Sequence, residues 1–548
     1  MSGEGANSRR LLEAALGQHR LGRLDEAASL YRQLLSNQPR HAQALQLLGT
    51  LEQQRGRSAA ALRLMRQAVA LEPSIAWYHG NVAEAQRAAG HRKAAVASAR
   101  RGHAILAAAE ETLLVLGNVL AEDGDVLGAA VAFQRALALA PAYGEAANNL
   151  GDLWSQLQQP DMARRSFWRV LALQPLHAAA RTNLANALYG MGEAPAALHH
   201  YRLAIALEPD AAETHVGSGV AWRQCAGFER ALICYRRALV LAPGSVEARY
   251  NMSLVQLTRG DYAGGWPGFA LRRRIRAFRP IRPEPQEPLW QGEDLKGRSI
   301  LLHAEQGHGD AIQFARYVPM VAARGGRVVL ECHPALLRLF ASLAGAAHLR
   351  ARGTELPQFD LHCPLMSLAE VFDTGVDSIP ATTPYLAVSD EATARWQERL
   401  QRLPRPRIGL CWRGSRTFRE DRTRSPGLAA FEPILALEGP SFAALMPDPE
   451  PDPRVFDVTA LLDDFAETAA AIAVLDLVIT SDTAVAHLAG ALGRPAWVML
   501  QHVPDWRWFL ERSDSPWYPS LRLYRQPGPG DWLSVALQIA ADLAGYSV

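Results

Sequence analysis

Asp310 stands in the turn Gly307-His308-Gly309-Asp310, after the apolar run Ser299 to His303 and before the apolar positions Ile312, Phe314 and Ala315. The run reads as a short buried strand, the glycines permit a tight turn, and the spacing beyond them opens a helix. Free backbone N–H groups and the helix dipole favour an ionised carboxylate in a first helical turn. Such a group can take a proton from a hydroxyl, or it can simply cap the helix. His308, two residues earlier, is a rival base, or a turn residue that is solvated or holds the loop.

The same pattern returns at Val478 to Leu488, VITSDTAVAHL, where an apolar strand meets a small polar turn and a helix begins near Asp482 and Thr483. Two such strand ends imply two nucleotide-fold lobes facing a cleft, the place where ligands bind in open α/β sheets. At this second helix N-terminus, Thr483 and the N–H groups of Ala484 and Val485 suit a phosphate. His487, on the first turns of that helix, either reaches a ligand or packs. A third cluster follows the strand Ile408 to Trp412: Arg413, Arg416, Arg419, Arg422 and Arg424. Such a cluster either serves an anionic ligand or is a solvated charge run. Asp505 and Trp506 open an aromatic segment that either closes over a donor or forms a packed lobe edge.

Strand signals at 299–303, 327–332, 359–362, 407–412, 475–480 and 496–500 alternate with helical ones, which predicts parallel sheets with helices on both faces. Before them lies an array. Prolines at 39, 73, 141, 175, 209 and 243 are spaced by 34 or twice 34, and alanine recurs every 34 residues from Ala27 to Ala231. Glycine stands at 22, 56, 90, 124 and 192, with Gln158 and Ala226 in the remaining slots, and a large side chain follows at Tyr31, Met65, Phe133, Phe167, Tyr201 and Tyr235. This is the tetratricopeptide pattern of paired helices, with small residues at the close approach and proline ending the second helix. Ala99 and Ala107 mark the third unit as the weakest junction. An imperfect eighth unit carries Gly260, Gly265, Trp266 and Phe269 and is expected to cap the array and dock it onto the α/β region behind it.

Asn81, Asn149, Asn183 and Asn251 share one position in their units, and Asn186 lies on the same helix as Asn183. A line of amides can bind a peptide backbone, or it can tie neighbouring helices together. In this respect the array resembles the repeat arm of O-linked N-acetylglucosamine transferases, whose asparagine ladder binds acceptor polypeptide. The expected organisation is a repeat array over 8–277, a proline-rich linker over 278–298, a first lobe over 299–403 and a second, nucleotide-sugar-binding lobe over 404–548.

The chain has 548 residues, enough for more than one core, and a formal net charge of +2, which gives no electrostatic case for nucleic acid. Its five cysteines form no C-x-x-C pair, which argues for a reducing compartment and against a structural zinc site. No apolar run is long enough to span a membrane, so the expected location is the cytoplasm.

The segments HAEQGHGDAIQFARYVP, IGLCWRGS, TSDTAVAHLAGALGRP and PDWRWFLERSDSPWYPSLRLYRQPGPGDW resemble glycosyltransferase family 9, which contains the heptosyltransferases of lipopolysaccharide synthesis. They are closer still to its bacterial variant fused behind tetratricopeptide repeats. The resemblance implies a GT-B fold of two Rossmann-like lobes behind the α-solenoid, and an inverting, metal-independent transfer with Asp310 as base. The donor-binding residues it implies are Asp482, accepting hydrogen bonds from sugar hydroxyls, Thr483, Ala484 and His487, with Arg413 or Arg422 of the arginine cluster against the phosphates. The lysine usual in that loop is not evident here, which leaves the donor open between a CMP-nonulosonic acid and an ADP-heptose-like sugar. Repeat-fused members modify flagellin, so the expected acceptor is a polypeptide held by the repeats. Transfer to lipopolysaccharide or a glycolipid, and an inactive repeat scaffold, are the alternatives.

Overall fold

The computed structural model describes residues 3–275, 285–414, 421–447 and 449–546. The chain divides into two compact units, Met1–Asp210 and Ala211–Val548.

The first unit is an α-solenoid of twelve helices, from Gly3–Arg20 to Ala194–Leu207. The second helix of each pair begins at Leu24, Ser58, Arg92, Val126, Pro160 and Ala194, a step of 34 residues each time. The turn between paired helices needs a left-handed residue: Gly22, Gly56, Gly90, Gly124 and Gly192 supply it, and Gln158 adopts it at φ 55°. The large side chains Met65, Phe133, Phe167 and Tyr235 pack against a glycine of their own unit's first helix, and Tyr31, Met65 and Tyr235 also share apolar clusters with the next unit, through Leu48 and Leu51, Val82 and Ala85, and Val255. A Cβ on Gly151 would lie 2.5 Å from the Phe167 ring, and one on Gly117 would overlap the Phe133 ring in the same way. In the third unit, where alanine replaces the aromatic, Gly102 lets the second helix close on the first, its virtual Cβ 3.0 Å from the Ala76 carbonyl.

The second unit opens with four more helices of the same period, Ala212–Gln224, Phe228–Leu241, Val246–Thr258 and Tyr262–Phe269. The left-handed slot recurs at Ala226 (φ 57°) and Gly260 (φ 83°). Two parallel sheets come next. The first comprises β1 (Ser299–His303), β2 (Arg327–Cys332), β3 (Ala346–Ala351) and β4 (Leu361–Pro364), in the order β3-β2-β1-β4. The second comprises β5 (Arg407–Cys411), β6 (Ser441–Ala444), β7 (Val455–Asp457), β8 (Leu477–Ser481), β9 (Ala496–Leu500) and β10 (Leu521–Arg525), in the order β10-β9-β8-β5-β6-β7. Counted within its own lobe, each sheet has the doubly wound order 3-2-1-4, extended by two strands in the second lobe. The fold is therefore the α-solenoid followed by an α/β region of two lobes.

The repeat cap belongs to the core of this unit. Trp266 Nε1 donates to the Thr374 carbonyl at 2.7 Å, Trp517 Nε1 donates to the Tyr262 hydroxyl at 3.0 Å, and Tyr262, Trp266 and Phe269 pack edge-on against Trp506. Arg272, 1 % exposed, pairs with Glu305 at 2.7 Å and donates to Ser367 Oγ at 2.9 Å, joining the cap to the loop after β1. The expected linker is shorter than 278–298: Trp290 and Leu295 are fully buried in the first lobe, and Trp290 N donates to the His362 carbonyl at 2.9 Å. The prolines at 280 and 283 lie outside the described residues.

Arg316 ties the lobes together. It is buried and donates to the carbonyls of Pro380 (3.2 Å) and Trp517 (2.7 Å) and to the Tyr385 hydroxyl (3.3 Å), with its guanidinium over the rings of Tyr385, Trp517 and Tyr518.

Candidate functional site

Two helices begin where the strands predict. His308–Phe314 follows β1, and Ala484–Ala491 follows β8. Both start at the carboxyl ends of strands flanking the switch points, β1/β4 in one lobe and β5/β8 in the other, where α/β sheets hold ligands. The two helix starts meet: a Cβ on Gly309 would stand 2.7 Å from His487 Cδ2 and 3.4 Å from the Ala484 Cα. Glycine at 309 is thus required by the approach of the second lobe, while its neighbour Gly307 is extended at the helix N-cap.

Asp310 uses both oxygens. Oδ2 accepts from Gly307 N at 2.9 Å, which is the capping role, and Oδ1 pairs with Arg507 of the second lobe. Arg507 also donates to Gln313 Oε1 and, at 2.9 Å, to Asp505 Oδ1. Burial pushes the Asp482 carboxyl up to about 6, assisted by the nearby Asp505 charge and opposed by Arg424, the Trp508 indole and Arg507. Asp310, Asp482 and Asp505 therefore share one electrostatic neighbourhood with Arg507 at its centre.

His308 is held by rings on both sides, with the centroid of His333 at 4.5 Å and that of Phe465 at 5.0 Å. Burial, then His333 and Arg352, depress it to about 4, so it is neutral near pH 7. These contacts hold the loop, and the neutral imidazole is also the form that can accept a proton. His487 is buried, stacked on Trp508 and hydrogen-bonded through Nδ1 to the Tyr518 hydroxyl at 3.0 Å; burial, then Arg507, holds it well below the usual histidine range. Thr483 caps its helix by accepting from Val485 N at 3.3 Å and shares a hydrogen bond with Thr480 Oγ1 at 3.1 Å.

Arg413 follows β5 and donates to the Pro447 carbonyl at 3.3 Å. Residues 415–420, with Arg416 and Arg419, lie outside the described residues, as does the side chain of Arg422. Among the described members of the cluster, Arg424 is the one whose charge bears on Asp482, His487 and Cys411. Trp506 does not line the site as a donor contact. It is 3 % exposed within the aromatic cluster of the repeat cap, because the short helical turn Trp506–Trp508 turns it towards Tyr262 and Trp266. Asp505 stays at the site, accepting from Arg507 N at 3.1 Å as the cap of that turn.

The asparagines take several roles. Asn149 donates to Asn118 Oδ1 and Asn183 to Asp152 Oδ1, each at 2.8 Å, both bridging to the preceding unit as helix ties. Asn186 accepts from the Tyr201 hydroxyl, Asn251 donates to the Glu247 carbonyl at 2.9 Å in its own helix, and Asn81 is half-buried. Sequence reasoning overlooked Arg507 and Gln313. An arginine between two tryptophans, with an aspartate two residues before it, was a signal of a buried cation that needs acceptors.

Among the described residues, no group of three or more His, Cys, Asp or Glu side chains is placed to hold a metal ion, and no helix is long and apolar enough to cross a membrane.

Comparison with known proteins gives the array its family resemblance. Tetratricopeptide repeat profiles match residues 12–74 and 177–207. Protein FlbA of Caulobacter vibrioides is 26% identical over 338 residues, 55% of this chain and 55% of that protein, so the chain spans about half the length of the curated relative it matches. Among solved structures, pilF of Pseudomonas aeruginosa is 23% identical with a TM-score of 0.35, covering 38% of this chain and 95% of that one. YrrB, described as a TPR protein with an unusual peptide-binding site, is 21% identical with a TM-score of 0.30, covering 34% of this chain and 95% of that one.

Proposed function

We propose that the chain is a protein O-glycosyltransferase, in which the repeats capture a polypeptide and the two lobes transfer a sugar from a nucleotide donor to a serine or threonine hydroxyl. The observation that carries this reading is the meeting of two strand-end turns, Gly309 against Ala484 and His487, with the Asp310 carboxylate beside Asp482 and Asp505. That arrangement offers what an inverting transfer needs. The acceptor oxygen attacks the anomeric carbon, its proton passes to Asp310, and the bond from that carbon to the phosphate oxygen breaks, so that the nucleotide leaves with the electron pair. Arg424 offsets the charge gained by the phosphate, and Asp482 accepts hydrogen bonds from sugar hydroxyls.

The similarity to FlbA extends over 338 residues and supports a repeat-bearing protein of common descent with it. From the resemblance to repeat-fused family 9 enzymes we take flagellin as the acceptor to test first, a CMP-nonulosonic acid as the first donor, with an ADP-heptose-like sugar second, and the cytoplasm as the place of reaction. The test is intact-mass spectrometry of flagellin and of total soluble protein from cells carrying the wild-type chain, Asp310→Ala, or a deletion. A sugar mass on one protein in the wild type alone is the expected result. Unchanged protein masses in all three would overturn the protein-acceptor reading and direct the search to glycolipids.

A further inference from the structure

Arg507 reaches across the site from a segment 197 residues away from Asp310. Its side chain is 9% exposed, and all three of its nitrogens are engaged: Nε with Gln313, Nη1 with Asp505 and Nη2 with Asp310. Its guanidinium carbon lies 4.6 Å from the centre of the Trp506 ring and 5.9 Å from that of Phe314. A planar fork held at its edge and on its faces has one orientation. Trp506, in turn, is wedged among Tyr262, Trp266, Phe269 and Trp517, so the position of the fork is set by the repeat cap.

The opposite oxygen of Asp310 is held by Gly307 N. With one oxygen on its own turn and the other on the second lobe, the carboxylate cannot swing about its Cβ–Cγ bond without breaking a bond in one lobe or the other. A buried ion pair adds little stability over an apolar pair of the same shape, so its geometry is better explained by orientation than by stability. The structure assigns Arg507 as a positioning residue for Asp310, aiming the free lone pairs of the carboxylate at the acceptor hydroxyl only when the second lobe is closed on the first. The assignment rests on the reading of Asp310 as the base. A base displaced by a fraction of an ångström loses rate far more than it loses substrate binding.

The experiment uses the full chain, the acceptor purified unmodified from the deletion strain, and the small-molecule fraction of the same cells as donor source, with transfer followed by intact mass. Arg507→Ala is expected to lower the maximal rate about 100-fold at nearly unchanged acceptor KM, and millimolar guanidinium to restore it about tenfold, while sodium and ammonium do not. A rate within about twofold of wild type, or a loss that guanidinium leaves unchanged in a variant melting like the wild type, would overturn the assignment. Should Arg507→Ala melt below the assay temperature, Arg507→Lys decides. It keeps the charge and loses the fork, so a drop of about tenfold or more in rate at constant KM supports the assignment, and full activity overturns it. Absence of product with the wild-type chain removes the transferase reading itself, and this assignment with it. Product from the wild type with an indifferent Arg507→Ala removes only the assignment.

Discussion

In the Met1–Asp210 solenoid, side chains meet partners about one repeat away: Asn149 reaches Asn118, and Arg87 reaches Glu122. In the Ala211–Val548 unit the bonds that matter cross 108 residues from Trp266 to Thr374, 197 from Asp310 to Arg507 and 255 from Tyr262 to Trp517. A solenoid of short-range contacts distributes damage, because each unit depends only on its neighbours. A site assembled from distant segments concentrates it. The contrast can be tested by matched lesions in the two regions.

The largest effect belongs to Glu305→Ala. It leaves Arg272 buried beside Ser367 without its paired carboxylate and with the charge of Glu370 nearby, and breaking a buried pair costs about 3–5 kcal/mol, readable in a urea titration. A comparably small loss there would show that the cap is less integral to the second unit than its bonds imply. Gly309→Ala comes next. The added methyl meets an imidazole that is itself fixed by Trp508 and Tyr518, and such overpacking costs about 1–3 kcal/mol, with loss of transfer because the helix starts must separate.

Within the solenoid, burial raises Asp152 to about 6 despite the hydrogen bond from Asn148. The unfolded chain releases this proton near the ordinary value of 3.8, so the folded state binds more protons between about pH 4 and 6. Its stability therefore falls as pH rises through that window and is level above it. Asp152→Asn is expected to remove this dependence, raising the melting temperature at pH 7.5 and leaving it nearly unchanged at pH 4. The smallest effect is Ala226→Gly, which relieves a left-handed alanine and should stabilise by about 1 kcal/mol in thermal melts.

The same contrast explains what could be read from sequence. The 34-residue period gave the helix starts because each unit repeats one local solution, and even the exceptions at Gln158 and Ala226 keep the left-handed turn. Strands β1, β2 and β9 were legible as continuous apolar runs, buried on both faces. Strand β3, half exposed at a sheet edge, and the four-residue β6 and three-residue β7 carry too few apolar side chains to form a pattern, and β10 went unrecognised within the aromatic segment. Asp310 and Asp482 announced themselves because each stands at a local strand-to-helix turn. Arg507 did not, since nothing near it in the chain says which carboxylate it will meet.

The aromatic seat of Trp506 in the repeat cap also bears on how such a protein could exchange parts. A recombination that replaced one arm by another at the proline-rich linker would strip Tyr262, Trp266 and Phe269 from beneath Trp506 and leave Glu305 without Arg272. The tolerant crossover point lies upstream, near Asp210 and Ala211. The last helix pairs would then stay with the α/β region whose core they share.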